Sequence, residues 1–254
     1  MIPSYNVQDV IRYLKTTFDK LCFDDQLTER ERVFIDRVDA GKKLAQLIKK
    51  NDLDKDIDIV LAIPCGGVPV ASTVAKELSK PFDLVIIRKI LIPWNTEAGY
   101  GAVDPNGNYI VNEELRSYLG FTDEEVRKHV EQTLREIHRR ERVFRRNRSY
   151  DHLKDRNVLL IDDGLASGYT MLAAVKFVKR KLVKKVYVAS PTASLSSIKL
   201  LHDTVDKLIV SNVRLGLSGF AVADAYVIWY DVSGDEVLSY IYKNKTNITS
   251  CSHI

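Results

Sequence analysis

The sequence predicts an α/β protein with a parallel sheet of about five strands and helices on both faces. Short apolar runs alternate with helical patterns along most of the chain, which is typical of buried parallel strands joined by crossover helices. The chain of 254 residues is 45% hydrophobic and 28% charged, so it can bury a sizeable core. The predicted strands are residues 57–63, 82–89, 157–163, 185–190 and 206–212.

Helical patterns precede the first strand. Apolar residues recur at helical spacing within residues 7–14 and 44–48. No internal repeat or low-complexity linker divides the chain, so one elaborated domain is expected rather than two. We therefore expect a helical N-terminal extension at residues 1–30, followed by a main domain at residues 31–254.

The interval between the second and third strands indicates an insertion at about residues 91–150, because it is far longer than a usual crossover. Its first half has the turn sequence Asp-Pro-Asn-Gly between two strand-like pieces, which predicts a hairpin. Its second half, from Thr122, has apolar residues at helical spacing behind an acidic first turn. A long helix is therefore expected after the hairpin.

The charge of the chain is unevenly distributed. Lys and Arg outnumber Asp and Glu by 38 to 34, and the net charge of +4 fits an anionic ligand better than nucleic acid. The excess is concentrated in residues 135–148, here called the arginine run, which carry seven Arg and two Glu. Such a run is typical of a solvated helix face, with recruitment of a polyphosphate or RNA as the alternative.

The three cysteines, Cys22, Cys65 and Cys251, are widely separated, which fits neither a disulfide framework nor a metal site. No apolar run is long enough to cross a membrane, and the N-terminus does not have the pattern of a secretory signal. We therefore expect a cytoplasmic protein with no membrane partner.

Residues 158–171 carry the strongest chemical signal. The apolar strand ends in the adjacent carboxylates Asp162 and Asp163, and a loop of small and hydroxyl residues then enters a helix. Amides at a helix start bind phosphate, and paired carboxylates bind a vicinal diol or hold a magnesium ion through water. A phosphate and a diol at fixed separation describe ribose 5-phosphate. The loop residues are Ala166, Ser167, Gly168, Tyr169 and Thr170.

The segment LLIDDGLASGYT resembles the signature of the type I phosphoribosyltransferases, an apolar strand followed by two acidic residues and a small loop ending in Thr. The resemblance implies that Asp162 and Asp163 bind the ribose hydroxyls of phosphoribosyl pyrophosphate (PRPP) and that residues 166–170 bind its 5-phosphate. It also implies a small nitrogenous acceptor, a homodimer, and a magnesium ion held mainly by PRPP, with contact through water to either carboxylate.

A second strand end, Pro-Cys-Gly-Gly-Val-Pro-Val-Ala, resembles the pyrophosphate loop of that family and places Cys65, Gly66 and Gly67 against the leaving group. The wider resemblance covers about residues 30–240 and is to a group of predicted phosphoribosyltransferases of unassigned acceptor. That group has Arg where this chain has Cys65. The cysteine removes a charge-assisted hydrogen-bond donor from the loop.

The resemblance extends to residues outside the two loops. Arg88 and Lys89, at the end of the second predicted strand, are expected to face pyrophosphate, with a solvated surface position as the alternative. Phe220, and after it Trp229, are the candidates for stacking on an acceptor base, with burial in the core as the alternative. Ala166 stands where 6-oxopurine enzymes have Asp, which disfavours hypoxanthine or guanine as the acceptor.

The sequence thus predicts magnesium-dependent transfer of ribose 5-phosphate from PRPP, with Asp162, Asp163, Arg88 and Lys89 as the catalytic set. One alternative is a regulator that binds PRPP or a nucleotide without transfer and binds nucleic acid, which Cys65 and the arginine run favour. Another is a phosphatase or receiver domain with Asp162 as the phosphoacceptor. That interpretation leaves the hydroxyl-rich loop unexplained.

Overall fold

Two sheets organise the computed structural model, which describes residues 6–95, 98–216 and 219–248. The strands within these ranges are β1 (Leu21–Phe23), β2 (Ile59–Ala62), β3 (Phe82–Leu84), β4 (Arg88–Leu91), β5 (Gly99–Val103), β6 (Tyr109–Val111), β7 (Asn157–Ile161), β8 (Lys185–Ser194) and β9 (Lys207–Arg214). Six parallel strands form the central sheet in the order β1-β9-β8-β7-β2-β3, and β4-β5-β6 form an antiparallel sheet.

The α-helices of the described residues are α1 (Val7–Thr17), α2 (Arg37–Lys50), α3 (Gly67–Leu78), α4 (Glu113–Tyr118), α5 (Asp123–Arg140), α6 (Tyr169–Lys179), α7 (Leu195–His202) and α8 (Gly234–Ile248). A π-helical turn, Glu141–Arg145, continues α5. None of these helices has the length and apolar character that a membrane span requires. Cys22 and Cys65 are free thiols, and Cys251 lies outside the described residues.

The central sheet is covered on both faces. In β2, Val60 and Ala62 belong to the apolar cluster formed with α2, α3 and α8. The alternate residues Ile59 and Leu61 belong to the cluster formed with α1, α6 and α7. Because successive side chains of a strand point to opposite faces, helices must lie on both sides. The predicted α/β class is confirmed.

The sheet has six strands rather than about five, and the additional strand is β1. It pairs in parallel with residues 208–210 of β9 and lies within residues 1–30, where the sequence predicts helix. The helical prediction is correct for α1 but omits β1. Three half-buried residues are too few to show a strand periodicity, so the local pattern carries no signal for it.

The predicted strand at residues 82–89 is two strands in two different sheets. β3 ends at Leu84, and Arg88 begins β4, pairing with Val103 of β5. Residues 85–87 connect the strands and are fully buried apolar side chains. Because the run stays apolar across this break, hydrophobicity alone cannot locate it. Arg88 and Lys89 therefore lie on the antiparallel sheet and not at the end of a parallel strand.

The insertion contains the predicted hairpin and long helix. β5 and β6 pair across a turn in which Gly107 has a φ of 84°. α5 begins with a capping box, in which the Thr122 hydroxyl accepts from the Glu125 amide and the Glu125 carboxylate accepts from the Thr122 amide. β4 adds a third strand to the hairpin, so the insertion begins a few residues earlier than expected.

The arginine run is only partly the solvated helix face that its composition suggests. Arg142 and Arg146 are exposed. Arg145 is fully buried, and its guanidinium lies 3.0 Å from the Asp83 carboxylate and 3.1 Å from the Glu141 carboxylate. Arginine side chains of one short segment thus lie both in solvent and in the core.

Candidate functional site

The candidate site lies at the carboxyl edge of the central sheet, between the adjacent strands β2 and β7. β2 leads through residues 63–66 into α3, and β7 leads through residues 162–168 into α6. The N-cap residues Gly66 and Gly168 give α3 and α6 no side-chain cap, so the first amides of α6 are available to a ligand. The first two amides of α3 donate to the Ile63 and Cys65 carbonyls, and its third residue, Pro69, has no amide hydrogen. By contrast, side-chain oxygens of Asn6, Asp36, Asn112, Thr122 and Ser194 cap α1, α2, α4, α5 and α7.

The two loops are in close contact through glycine. A Cβ added to Gly66 would lie 2.0 Å from Oδ2 of Asp163, and one added to Gly67 would lie 2.9 Å from Cα of Asp162. Any larger residue would displace the acidic pair. The Pro64–Cys65 peptide immediately before these glycines is cis. The predicted pyrophosphate-loop and sugar-binding residues are therefore brought together.

We expect Gly66→Ala to weaken binding of ribose 5-phosphate about tenfold or more, because the new methyl group would push the Asp163 carboxylate from its position. Isothermal titration calorimetry measures the change. Gly234→Ala is the matched control, since its added methyl group meets nothing closer than 3.7 Å. Equal affinities of the two variants would contradict this role for Gly66.

Asp163 is held by a buried arginine that the sequence analysis missed. Nε of Arg37 donates to Oδ2 of Asp163 at 2.9 Å, and its Nη1 donates to the Tyr230 carbonyl at 2.9 Å. The guanidinium carbon lies 3.9 Å from the centre of the Trp229 ring. The side chains of Arg37 and Asp163 are 6% and 14% exposed, so this ion pair is shielded from solvent.

A signal for Arg37 exists in the sequence. It is the first residue of α2, directly after the N-cap Asp36. The positive end of the helix dipole disfavours a cation there, so an arginine at this position is consistent with a carboxylate partner from another element. No local pattern identifies that partner, because Asp163 is distant in sequence.

The two carboxyl groups have different environments. Burial raises the pKa of Asp162 well above its usual range, and the charge of the adjacent Asp163 raises it further. Oδ1 of Asp162 accepts from the Asp163 amide at 2.9 Å, and the Tyr226 hydroxyl donates to the Asp163 carbonyl at 2.6 Å. Asp163 has the arginine as its counterion, and Asp162 has none in direct contact within the described residues. The arrangement therefore favours a proton on Asp162 and places the buried guanidinium against Asp163.

The phosphate-loop candidate, residues 166–170, is supported by the end of the neighbouring strand β8 and by the first turn of α7. The Ser194 hydroxyl donates to the Ala166 carbonyl at 2.6 Å, and the Ser197 hydroxyl donates to the Leu165 carbonyl at 2.9 Å. Gly168 has a φ of 80°, in the left-handed region that glycine adopts most readily. Ala166 and Ser167 are exposed. These bonds fix the loop while its outer side stays open to a ligand.

The insertion reaches the phosphate loop. Tyr169 and Thr170, the first residues of α6, are partly buried. Burial raises the pKa of Tyr169, and the charges of Glu114 and Glu113 in α4 raise it further. The antiparallel sheet therefore packs against α6, and the α4 carboxylates lie close enough to act on Tyr169 at its start.

The remaining basic candidates also lie near the site, although they belong to the antiparallel sheet. Lys89 is exposed, and its charge lowers the pKa of Asp162 against the larger effect of burial. Arg88 is partly buried near Cys65 and Arg140. Nη1 of Arg140, on α5, lies 3.4 Å from Sγ of Cys65. This arginine is a second site residue that the sequence analysis did not single out.

The two aromatic candidates are separated. Trp229 stacks on Arg37 and is 38% exposed, which places it beside the acidic pair. The Phe220 ring instead lies 5.7 Å from the guanidinium carbon of Arg214. Of the two candidates, Trp229, the second choice from the sequence, is therefore the one in contact with the acidic-pair network.

The donor set fits a magnesium ion that arrives with phosphate. Within the described ranges, no group of three or more His, Cys, Asp or Glu side chains is arranged to hold a metal ion. Two adjacent carboxyl groups suit Mg²⁺ that takes most of its ligands from substrate phosphates and water. Asp162 and Asp163 would be its protein contacts.

The fold and the site together define the phosphoribosyltransferase class, a parallel sheet with an acidic pair and a small hydroxyl loop at its carboxyl edge. The chain belongs to the phosphoribosyl transferase domain family, whose model matches residues 35–220.

Known proteins with similar sequences carry related names. Rv0571c of Mycobacterium tuberculosis strain H37Rv, named provisionally as a phosphoribosyl transferase, is 30% identical over 210 residues, 83% of this chain and 46% of that protein. The amidophosphoribosyltransferase of Escherichia coli K12 is 27% identical over 166 residues, 65% of this chain and 26% of that enzyme. The chain thus spans about half, or less, of the length of these relatives.

Among solved structures, the TT1426 protein of Thermus thermophilus is similar, with a TM-score of 0.65 and 29% identity. The match covers 83% of this chain and 98% of that one. The similarity therefore extends over nearly the whole of TT1426.

Proposed function

We propose that the protein transfers ribose 5-phosphate from PRPP to a nitrogenous acceptor and releases pyrophosphate. The observation that carries the proposal is the Asp162–Asp163 pair, held between the uncapped starts of α3 and α6. One helix start and its hydroxyl loop suit the 5-phosphate, and the acidic pair suits the ribose hydroxyls. The β2–α3 loop, on the other side of the acidic pair, suits the leaving pyrophosphate.

The chain's own residues orient the sugar. Asp163, fixed by Arg37, accepts hydrogen bonds from the ribose hydroxyls, while residues 166–170 hold the 5-phosphate. As in other glycosyl transfers, the transition state is oxocarbenium-like, so no side-chain nucleophile is needed. Magnesium bound with PRPP supplies positive charge to the departing pyrophosphate.

The acceptor site includes Trp229 in this proposal. One face of its ring is covered by Arg37, and the indole remains 38% exposed. A planar nitrogenous ring is the kind of acceptor that such a surface binds by stacking. A homodimer in the cytoplasm belongs to the same proposal and rests on the family resemblance.

The test is pyrophosphate release from PRPP and magnesium across a panel of acceptors that includes purines, pyrimidines and ammonia. We expect turnover with one acceptor class and loss of turnover when EDTA removes the metal. Saturable PRPP binding without pyrophosphate release from any acceptor would contradict the transferase proposal and favour the regulator.

A further inference from the structure

A cluster of guanidinium groups lies beside the β2–α3 loop. Arg140 of α5 contacts the Cys65 sulfur at 3.4 Å, and its side chain is only 18% exposed. Arg88 of β4 is partly buried next to it. Arg139 precedes Arg140 on the helix. Two elements of the insertion thus bring cations together beside the loop.

The carboxylates in contact with this cluster do not balance its charge. Glu136 lies 2.6 Å from Nη2 of Arg139 and 3.4 Å from Nε of Arg140. It accepts two hydrogen bonds from Arg139, so it is mainly the partner of that residue. Arg88 has no ion pair within the described ranges. Burial lowers the pKa of Arg88 and the charge of Arg140 lowers it further, while the charge of Glu136 acts in the opposite direction, as expected for three guanidinium groups that share one carboxylate.

The cluster is next to the site described above. Cys65 immediately precedes Gly66, the N-cap of α3, which has no side-chain cap. On its other side Gly66 is in contact range of Asp163. In PRPP the pyrophosphate is bonded to C1, next to the hydroxyl-bearing carbons. A diol at the acidic pair would thus direct the pyrophosphate toward Cys65 and the guanidinium groups.

We propose that Arg140, together with Arg88, binds the pyrophosphate group of PRPP. This inference rests on the proposed function. The guanidinium that Cys65 cannot provide comes from the insertion helix α5. The thiol is small enough for Arg140 to approach to 3.4 Å, and an arginine at position 65 would place a second cation in that space.

Binding of two ligands separates this role from a structural one. We expect Arg140→Ala to weaken PRPP binding about tenfold to hundredfold, because a charge-assisted hydrogen bond to phosphate is lost. Binding of ribose 5-phosphate, which has no pyrophosphate, should be unchanged. The matched control is Arg135→Ala, which removes an exposed arginine from the same helix and should leave both affinities unchanged.

A relocation variant tests the position of the charge. Cys65→Arg combined with Arg140→Ala should recover most of the lost PRPP affinity, since a guanidinium again lies beside α3.

The outcomes are distinguishable by calorimetry. If the wild-type protein binds neither PRPP nor ribose 5-phosphate, the proposed function fails. If it binds both, and Arg140→Ala leaves PRPP affinity unchanged or weakens both ligands equally, the role of Arg140 is overturned while the sugar site stands. Selective loss of PRPP, with recovery in the double variant, supports the inference.

Discussion

Replacement of Asp162 and Asp163 together by Asn is expected to abolish PRPP binding. Asparagine keeps the shape of each side chain but removes the carboxyl oxygens that accept hydrogen bonds and adds amide donors toward the ribose hydroxyls. It also leaves Arg37, whose side chain is 6% exposed, without its ionic partner. Calorimetric titration with PRPP measures the loss, which should exceed about a hundredfold.

Single variants resolve the contribution of each carboxyl group. Because the pKa of Asp162 is raised in the folded protein, this carboxyl group keeps its proton as pH rises through about 4, the ordinary pKa of an aspartate. Asp162 therefore contributes stability that is lost as pH rises from there, and Asp162→Asn should remove that contribution. Asp163→Asn breaks the Arg37 ion pair and should destabilise the fold more.

The control for these variants is Asp203→Asn, an exposed carboxylate on the C-terminal side of α7. Its PRPP affinity should match the wild type. Retention of full PRPP affinity by the double Asn variant would contradict the assignment of the sugar site.

Arg145→Met is expected to lower the free energy of unfolding by about 3–5 kcal/mol. The guanidinium is fully buried, pairs with Asp83 and Glu141, and stacks 3.5 Å above the centre of the Tyr150 ring. Methionine fills similar space but leaves two buried carboxylates with less compensation. Chemical denaturation at neutral pH measures the loss.

The effect depends on pH. Burial alone would raise the pKa of Asp83, but His152, Arg145 and Arg148 outweigh it and hold the pKa well below its usual range. A depressed folded pKa stabilises the protein above the unfolded value near about 4, and this contribution is lost as pH falls through the folded pKa. The difference between wild type and Arg145→Met should therefore shrink in acid.

Arg142→Met is the matched control because Arg142 is exposed in the same segment. It should change stability by no more than about 0.5 kcal/mol. If Arg145→Met also stays within that limit, the buried ion network is not a stabilising element.

The site loops could be predicted from sequence because each is a contiguous segment. An apolar strand, an acidic pair and a small-residue loop define the β7–α6 connection locally, and β2 likewise leads through a small-residue loop into α3. Their adjacency follows from the parallel sheet. The residues that give each loop its chemistry are thus contiguous in the sequence.

The partners of those loops could not be predicted in the same way. Arg37 and Arg140 reach Asp163 and Cys65 from helices far away in sequence. Local patterns report burial and periodicity but not which distant charge faces which. Arg145 and Arg142 illustrate this limit, since identical side chains three residues apart lie in the core and in solvent.

The predicted boundaries of the strand at residues 82–89 were wrong for a related reason. Residues 85–87 are apolar, like Phe82 and Leu84 of β3, because they stay buried while the chain passes from one sheet to the other. Hydrophobicity records burial and not hydrogen-bond partners. Hydrophobicity therefore could not show that Arg88 and Lys89 lie on the antiparallel sheet.

A crystal structure of the protein with PRPP and magnesium tests the central claim most directly. We predict the 5-phosphate on residues 166–170, the ribose hydroxyls at Asp162 and Asp163, and the pyrophosphate beside Gly66. Ligand density in another place would contradict it, for example in the cavity of about 400 Å³ lined by Arg142 and Arg148, with the carboxyl edge of β2 and β7 left empty.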